Sequence, residues 1–360
     1  MRKNLIIRIM GQNKGGGAER HIYQVNQLLI KNGWEVITYI PEPSFKIPIS
    51  HCDMVNMNYI HNINFLFLLK NIWQKRDKIV FIHSHLRNAT VLAGLIALIL
   101  CIPHVVTIHG RLSAGEECLR DEIFNSIVGF FLCRAKKVIF ISRFVKKIAL
   151  KQARQKTTRI NSAIVYNGSG DISDLKHTTN SESNIFNICV VGQLTDTKNM
   201  SDLIWLTRQL NKKGFNKTIR INLFGEGPWQ DRLQKIADET GILVIHGYEI
   251  DTNKIFHNQH LHLILSRVEG FGRVVTEAMA RAIPTLCFNS GAFPELLTNN
   301  TDGFLVETKE DLLTKLMNLI QNKHLLNKVG NNSRKTFLKR FTVEHFQQST
   351  YKALSPILKS

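Results

Sequence analysis

The sequence lacks several things, and each absence narrows the reading. No apolar run is long enough to cross a bilayer. The most apolar segment, Val91 to Ile102, has about 12 residues, against the roughly 20 that a spanning helix needs. It reads instead as a buried helix covering a sheet. No signal peptide is expected, because Arg8 cuts short the apolar run Leu5-Ile6-Ile7 and no small-residue cleavage site follows. The six cysteines (Cys52, Cys101, Cys118, Cys133, Cys189, Cys287) form no C-x-x-C. That argues against disulfides and a cysteine-based zinc site, and for reduced thiols in a cytoplasmic protein. No helix-turn-helix, zinc-finger or RNP pattern is found, so nucleic acid is not expected as a partner.

Acidic residues are also scarce. Twenty-eight Asp and Glu face 47 Lys and Arg, for a formal net charge of +19. The imbalance sits in the first half. Residues 1–170 hold 24 basic and 9 acidic side chains, a net of +15, and the rest hold 23 and 19, a net of +4. Arg134 to Arg159 has ten basic residues and no acid. A second basic and apolar segment runs from Asn64 to Arg76. Such asymmetry implies an anionic partner for the first half. An amphipathic basic helix suits an anionic membrane surface; a solvated face over an ordinary core is the other reading.

What is present is an alternation of short apolar strands and helical patterns over 360 residues, enough for two domains. The stretch that organises the rest is Ser266 to Ala280. It follows the apolar strand Leu261-His262-Leu263-Ile264-Leu265, turns at Gly270-Phe271-Gly272 and enters an Ala-rich helix that must stop at Pro284. Strand, glycine turn and helix present free backbone N–H groups to an anion. Glu269 stands before the helix and Glu277 on it, with seven residues between. Two carboxylates beside a phosphate site suit hydroxyl recognition, since they repel the phosphate itself.

The stretch Glu269-Gly270-Phe271-Gly272-Arg273-Val274-Val275-Thr276-Glu277-Ala278-Met279-Ala280 closely resembles the signature of the retaining glycosyltransferase family 4. The resemblance implies the GT-B fold, an α/β architecture of two Rossmann-like domains facing across a cleft. It implies that Glu269 contacts the donor sugar and Glu277 the nucleotide ribose. Gly15-Gly16-Gly17-Ala18-Glu19-Arg20 resembles the family's first-loop motif, which puts Gly16 and Gly17 in the cleft. Thr107-Ile108-His109-Gly110 matches the place of a histidine that binds a donor-sugar hydroxyl, and His109 takes that role. His85 is a cleft-lining candidate. Gly192-Gln193-Leu194 through Lys198 matches the diphosphate clamp, with Lys198 in place but Gln193 where the family has Arg. A neutral amide binds phosphate more weakly, so Arg267 or Arg273 compensates, or the donor is held less tightly. His246-Gly247-Tyr248 lies where the family's backbone holds the nucleobase. Gly291 to Leu296 and Asp302 to Val306 resemble further cleft elements.

The expected domains are an acceptor domain over 1–170, a linker over 171–184, a nucleotide-sugar domain over 185–340 and a last helix, 341–360, packing back on the first domain. The resemblance implies a hexosyltransferase moving a sugar from a nucleotide diphosphate-sugar, UDP favoured, to a lipid-linked, lipopolysaccharide or capsule glycan at the cytoplasmic membrane face. Catalytic roles fall to His109, Glu269 and Lys198. Substrate binding falls to Gly16, Gly17, Gln193, Gly247, Tyr248, Phe271, Gly272, Arg273 and Glu277. No cofactor is expected, and no metal, since no D-x-D motif lies in a plausible loop. A sugar-nucleotide 2-epimerase, or a non-catalytic subunit binding an anionic partner, are the alternatives.

Overall fold

A computed structural model describes residues 3–11, 17–41, 58–60, 63–112, 119–171 and 185–359. Gly16 with most of the glycine-rich first loop, Cys52, Cys118 and nearly all of the 171–184 linker lie outside the described residues. The chain divides into two compact units, Met1–Gly168 with Val343–Ser360, and Ser169–Thr342.

The first unit runs β1 (Leu5–Met10), α1 (Gly17–Lys31), β2 (Glu35–Tyr39), β3 (Asn58–Ile60), α2 (Phe65–Trp73), β4 (Ile79–His85), α3 (Arg87–Ile99), β5 (His104–Ile108), α4 (Leu119–Arg134), β6 (Lys137–Phe140), α5 (Arg143–Gln152) and β7 (Ser162–Ile164). The strands form one parallel sheet in the order β3-β2-β1-β4-β5-β6-β7. Parallel strands are covered on both faces, and β1 shows why its sequence is apolar at all but one position, Arg8. Leu5, Ile7 and Ile9 pack with Leu68 and Ile72 of α2 and Ala89, Ala93 and Ile96 of α3. Ile6 points the other way, onto Val25 and Leu29 of α1 and onto Phe346 and Leu354 of the last helix. Ser142 caps α5 by accepting from the Val145 N–H at 3.0 Å, which satisfies one of the open donors of that turn.

The second unit runs β8 (Phe186–Val191), α6 (Met200–Lys212), β9 (Ile219–Phe224), α7 (Gln230–Thr240), β10 (Leu243–Gly247), α8 (Thr252–Phe256), β11 (Leu261–Ile264), α9 (Arg273–Met279), β12 (Thr285–Phe288), α10 (Phe293–Leu296), β13 (Phe304–Val306), α11 (Lys309–Ile320) and α12 (Lys323–Arg340). Its parallel sheet has the order β10-β9-β8-β11-β12-β13. Ile188 and Val190 of β8 face Leu203, Leu206 and Leu210 of α6 and Leu312 and Leu316 of α11. The chain then enters α13 (Val343–Leu358), which packs on α1 in the first unit.

Strand order reverses direction at two places, between β1 and β4 and between β8 and β11. In open α/β sheets ligands bind beyond the carboxyl ends of the strands at such switch points. Among the described residues no helix is long and apolar enough to cross a membrane.

Arg8 lies within β1 and is fully buried. Two features differ from the sequence reading. Helix α3 covers the sheet as expected, through Ala89, Thr90, Ala93, Ile96 and Ala97, but it is buried on that face alone: Leu95, Leu98 and Ile99 stand exposed. Finally, β4 continues past His83 to His85, so the strand end that faces the switch point carries His85.

Candidate active site

In the second unit, the loop after β8 and the loop after β11 meet at the switch point. Lys198, at the end of a short turn after β8, is ion-paired through Nζ with Glu269 Oε1, and both side chains are only partly exposed. The stem of Lys198 runs against Gly192 at the strand end. Asn199 closes the same turn, donating from Nδ2 to Asp202 Oδ2 at 2.5 Å and to the Leu265 carbonyl at 3.1 Å. That second bond ties the β8 loop to the end of β11. From behind, the Ala292 N–H donates to the Glu269 carbonyl at 3.0 Å. The approach requires glycine at 291: it holds a φ of +60°, and a Cβ there would stand 2.8 Å from the Glu269 nitrogen.

The glycine turn then enters α9. Gly272 precedes the helix in the left-handed region at φ +83°, and a Cβ on it would press on the Phe293 ring at 2.9 Å. Arg273 is the first helical residue, and its carbonyl accepts from Thr276 Oγ1 at 2.8 Å. Thr276 also shares a 2.6 Å hydrogen bond with Ser169, which holds the helix to the start of this unit. Glu277 is half-buried on α9, and its carbonyl accepts from Arg281 Nη1 at 2.9 Å. The helix is seven residues long and ends at Met279, well before Pro284.

Phe271, a sequence candidate for substrate binding, turns its ring inward. It is buried, with the Phe341 ring edge-on at 6.1 Å, so its side chain belongs to the core. Gln193 is exposed on the β8 loop. Arg267 is engaged elsewhere, with Nη2 at 3.4 Å from Asp202 Oδ2 and its guanidinium 4.0 Å over the Phe288 ring. Gly247 ends β10 and accepts at its carbonyl from the Gly225 N–H at 2.7 Å; Tyr248 next to it is half-exposed.

In the first unit, Gly17 opens α1, and the other switch point holds a cluster that sequence reasoning only partly found. His109 follows β5 and is half-buried; its Nε2 lies 3.0 Å from His85 Nδ1. His85 is fully buried, so it does not line a cleft as expected. Its Nε2 lies 2.6 Å from Arg8 Nη2, and Arg8 Nη1 also donates to the Ile22 carbonyl at 2.9 Å and to Asn26 Oδ1 at 2.7 Å. A guanidinium only donates. His85 Nε2 therefore accepts, the ring proton sits on Nδ1, and Nδ1–H donates to His109 Nε2. His21, buried on α1, places Nδ1 2.8 Å from Asn167 Oδ1 and its ring edge-on to His109 at 4.7 Å. Arg8 and His21 carried one usable signal each: an arginine inside an apolar strand, and a histidine on the core stripe of α1.

The nearest ring nitrogens of His21, His85 and His109 lie within 4.8 Å of one another, a spacing that a metal ion can bridge. The chemistry of the donors fits poorly. His85 offers one nitrogen to a buried guanidinium and the other to His109, and a permanent cation on the adjacent ring nitrogen opposes a second one. The cluster acts instead as a hydrogen-bond chain from Arg8 to His109.

Burial pushes the histidines below their usual range. His83 and His85 are lowered well below it, by burial first, with Arg8 and neighbouring histidines adding to this. His104, bonded to Ser84, and His262, bonded to Thr285, are each lowered to about 3 by burial. A histidine that folds neutral stabilises the fold above its unfolded pKa, and that contribution is lost as pH falls. From about pH 6.5 down to about 3, His104 and His262 are each expected to cost about 1.4 kcal/mol per pH unit. The melting temperature should therefore fall steeply below pH 6.5, and calorimetry showing it flat between pH 7 and pH 5 would contradict this.

Two family models match the chain. One, described as glycosyltransferase family 4, covers residues 15–168, and the other, glycosyl transferases group 1, covers residues 171–336. An uncharacterised glycosyltransferase of Methanocaldococcus jannaschii is 25% identical over 347 residues, 91% of each chain. The gpi3 subunit of the phosphatidylinositol N-acetylglucosaminyltransferase of Schizosaccharomyces pombe is 21% identical over 349 residues, 85% of this chain and 70% of the relative. The crystal structure of HepE from Anabaena in complex with UDP superposes with a TM-score of 0.82 at 20% identity, covering 99% of this chain and all of that one. The two Rossmann-like sheets, the matched models and the relatives agree: the chain belongs to the family 4 glycosyltransferases and has the GT-B fold.

Proposed function

We propose that this glycosyltransferase moves a hexose-type sugar from a nucleoside diphosphate-sugar, UDP favoured, to a lipid-linked, lipopolysaccharide or capsule glycan at the cytoplasmic membrane face. The observation that carries the reading is the Lys198–Glu269 pair at the β8/β11 switch point. An ammonium beside a carboxylate, flanked by Arg273 and Glu277, supplies one charge for a diphosphate and two carboxylates for sugar hydroxyls. The UDP bound to the Anabaena structure supports the choice of nucleotide, and the inositol-phospholipid acceptor in the fission-yeast relative's name supports a lipid-borne acceptor.

Breaking the anomeric bond leaves negative charge on the departing diphosphate, and stabilising that charge is the main task. Lys198 and Arg273 do this. Glu269 holds the sugar in its oxocarbenium-like state, and His109 is the first unit's candidate for a sugar hydroxyl. The leaving phosphate takes the acceptor proton as the acceptor attacks from the same face, so configuration is retained. The reaction runs without a metal, a reading supported by the lack of a D-x-D motif in a plausible loop. The 2-epimerase and non-catalytic readings are not favoured by the relatives named above.

A panel of UDP-, GDP- and ADP-sugars, with and without chelator, tests this. One UDP-sugar should raise the melting temperature and release UDP faster when a glycan acceptor is added, with no loss on chelation. If no nucleotide-sugar stabilised or was turned over, the reading would be wrong.

A further inference from the structure

Three helices on one side of the first sheet carry apolar side chains on their outer faces as well as their inner ones. On α2 the outer stripe is Leu66, Lys70 and Trp73; on α3 it is Leu95, Leu98 and Ile99; on α4 it is Leu119, Ile123, Ile127 and Phe130. Each stripe follows helical spacing. The exposure is large: Leu66 is 73% exposed, Leu119 72%, Ile99 56% and Trp73 53%. Of the fourteen large apolar residues that stand exposed among the described residues, nine lie on these three helices. Helix α3 packs between α2 and α4, so the stripes are neighbours. A water-soluble surface rarely gathers so much apolar area without a partner.

The edges of this face are cationic. A groove between α2 and the end of α3 is lined by Leu66, Trp73 and Ile99, with Lys70 and Arg76 at its mouth. A second groove, between α3 and α4, is lined by Leu98 and Phe131, with Arg134 and Lys136 at its mouth. Arg76 stands over the Trp73 ring at 5.3 Å, and Arg134 stands over the Phe130 ring at 5.5 Å. The nearby acids are mostly engaged: Asp121 pairs with Arg87 at 2.7 Å, and Glu122 pairs with Arg154 at 2.7 Å. Asp77 is the exposed exception, 3.7 Å from Arg76.

We propose that the outer faces of α2, α3 and α4 form a surface that docks on a bilayer carrying anionic headgroups. The apolar stripes enter the acyl boundary, Trp73 sits at headgroup depth, and Lys70, Arg76, Arg134 and Lys136 meet the phosphates. A second copy of the chain is a poorer occupant, because pairing through this face brings two cationic rims together. The proposal deepens the functional reading and rests on it only for its purpose, which is to bring the enzyme to a lipid-borne acceptor.

The test uses the full chain and sedimentation with phosphatidylcholine vesicles, with and without phosphatidylglycerol. The protein should bind the anionic vesicles and release in high salt. Lys70→Ala with Arg76→Ala should weaken binding by about fivefold per cation removed, and Ile127→Ser with Phe130→Ser by about tenfold or more. Brominated acyl chains should quench Trp73 in the wild type and lose that quenching in Trp73→Phe. Binding that ignores phosphatidylglycerol, or variants that bind as well as wild type, would overturn the proposal, as would a dimer lost in the apolar variants with no vesicle binding. Thermal stabilisation by a UDP-sugar, read on the same preparations, reports separately on the donor site.

Discussion

Lys198→Ala is expected to lower kcat/KM for sugar transfer by about 10²- to 10³-fold, the loss found when one preorganised group facing developing negative charge is removed. The charge on Lys198 is held in place by Glu269 in the ligand-free protein, so an incoming diphosphate takes over a cation that is already positioned. This makes the two variants at the pair behave differently. Lys198→Ala removes stabilisation that grows as the anomeric bond breaks, so kcat falls with little change in KM. Glu269→Gln removes the partner but leaves a hydrogen-bonding amide, so the donor diphosphate is free to hold Lys198 more tightly. Its kcat should fall, because a neutral amide does not stabilise the positive sugar of the transition state, and its KM should fall as well, because the ground-state donor is held more tightly. Steady-state kinetics with the active nucleotide-sugar separate the two. A Lys198→Ala enzyme that kept within a few-fold of wild-type kcat/KM would remove the lysine from the mechanism, and one that lost only in KM would make it a ground-state binder.

How much of this was visible in the sequence depends on where the signal lay. The strands of both sheets could be read because a parallel strand covered on both faces is mostly apolar, as β1, β8 and β11 are apart from one polar residue each, Arg8, Asn187 and His262. The spacing of Glu269 and Glu277 across a glycine turn pointed to one loop and one helix, and both residues lie there. Helix α4 gave no such signal, since Leu119 to Arg134 carries apolar residues on its outer face as well as its inner one and no single apolar face stands out. The pairing of Lys198 with Glu269 was also hidden. It depends on β8 and β11 being neighbours at the centre of the sheet, although 71 residues separate the partners. The burial of Arg8 was hidden for a related reason. One charge inside an apolar run looks like a break until a strand and a helix supply acceptors for it, and Ile22, Asn26 and His85 all come from elsewhere in the chain.

The buried arginine leads to the second large effect. His109→Ala is expected to reduce transfer by about 10²-fold or more, as for other positioned polar groups in a reacting site. The more informative change is one shell back. His85 accepts from Arg8 at one nitrogen and so must donate from the other to His109 Nε2. His109 is thereby fixed with its own proton on Nδ1. His85→Gln keeps an acceptor for Arg8 and a donor for His109, and should retain most activity. His85→Leu keeps neither; it strands a buried guanidinium nitrogen and lets the His109 ring choose its tautomer. Activity should fall about 10- to 100-fold, the size of effect seen when an orienting partner behind a functional histidine is removed, with kcat falling more than KM and the acid limb of the pH–rate profile moving. Nitrogen-15 spectra of the imidazoles give the decisive reading: His109 in the wild type and in His85→Gln should show the Nδ1–H form, and in His85→Leu a mixture. A wild-type His109 protonated on Nε2 would refute the chain from Arg8, whatever the activities of the variants.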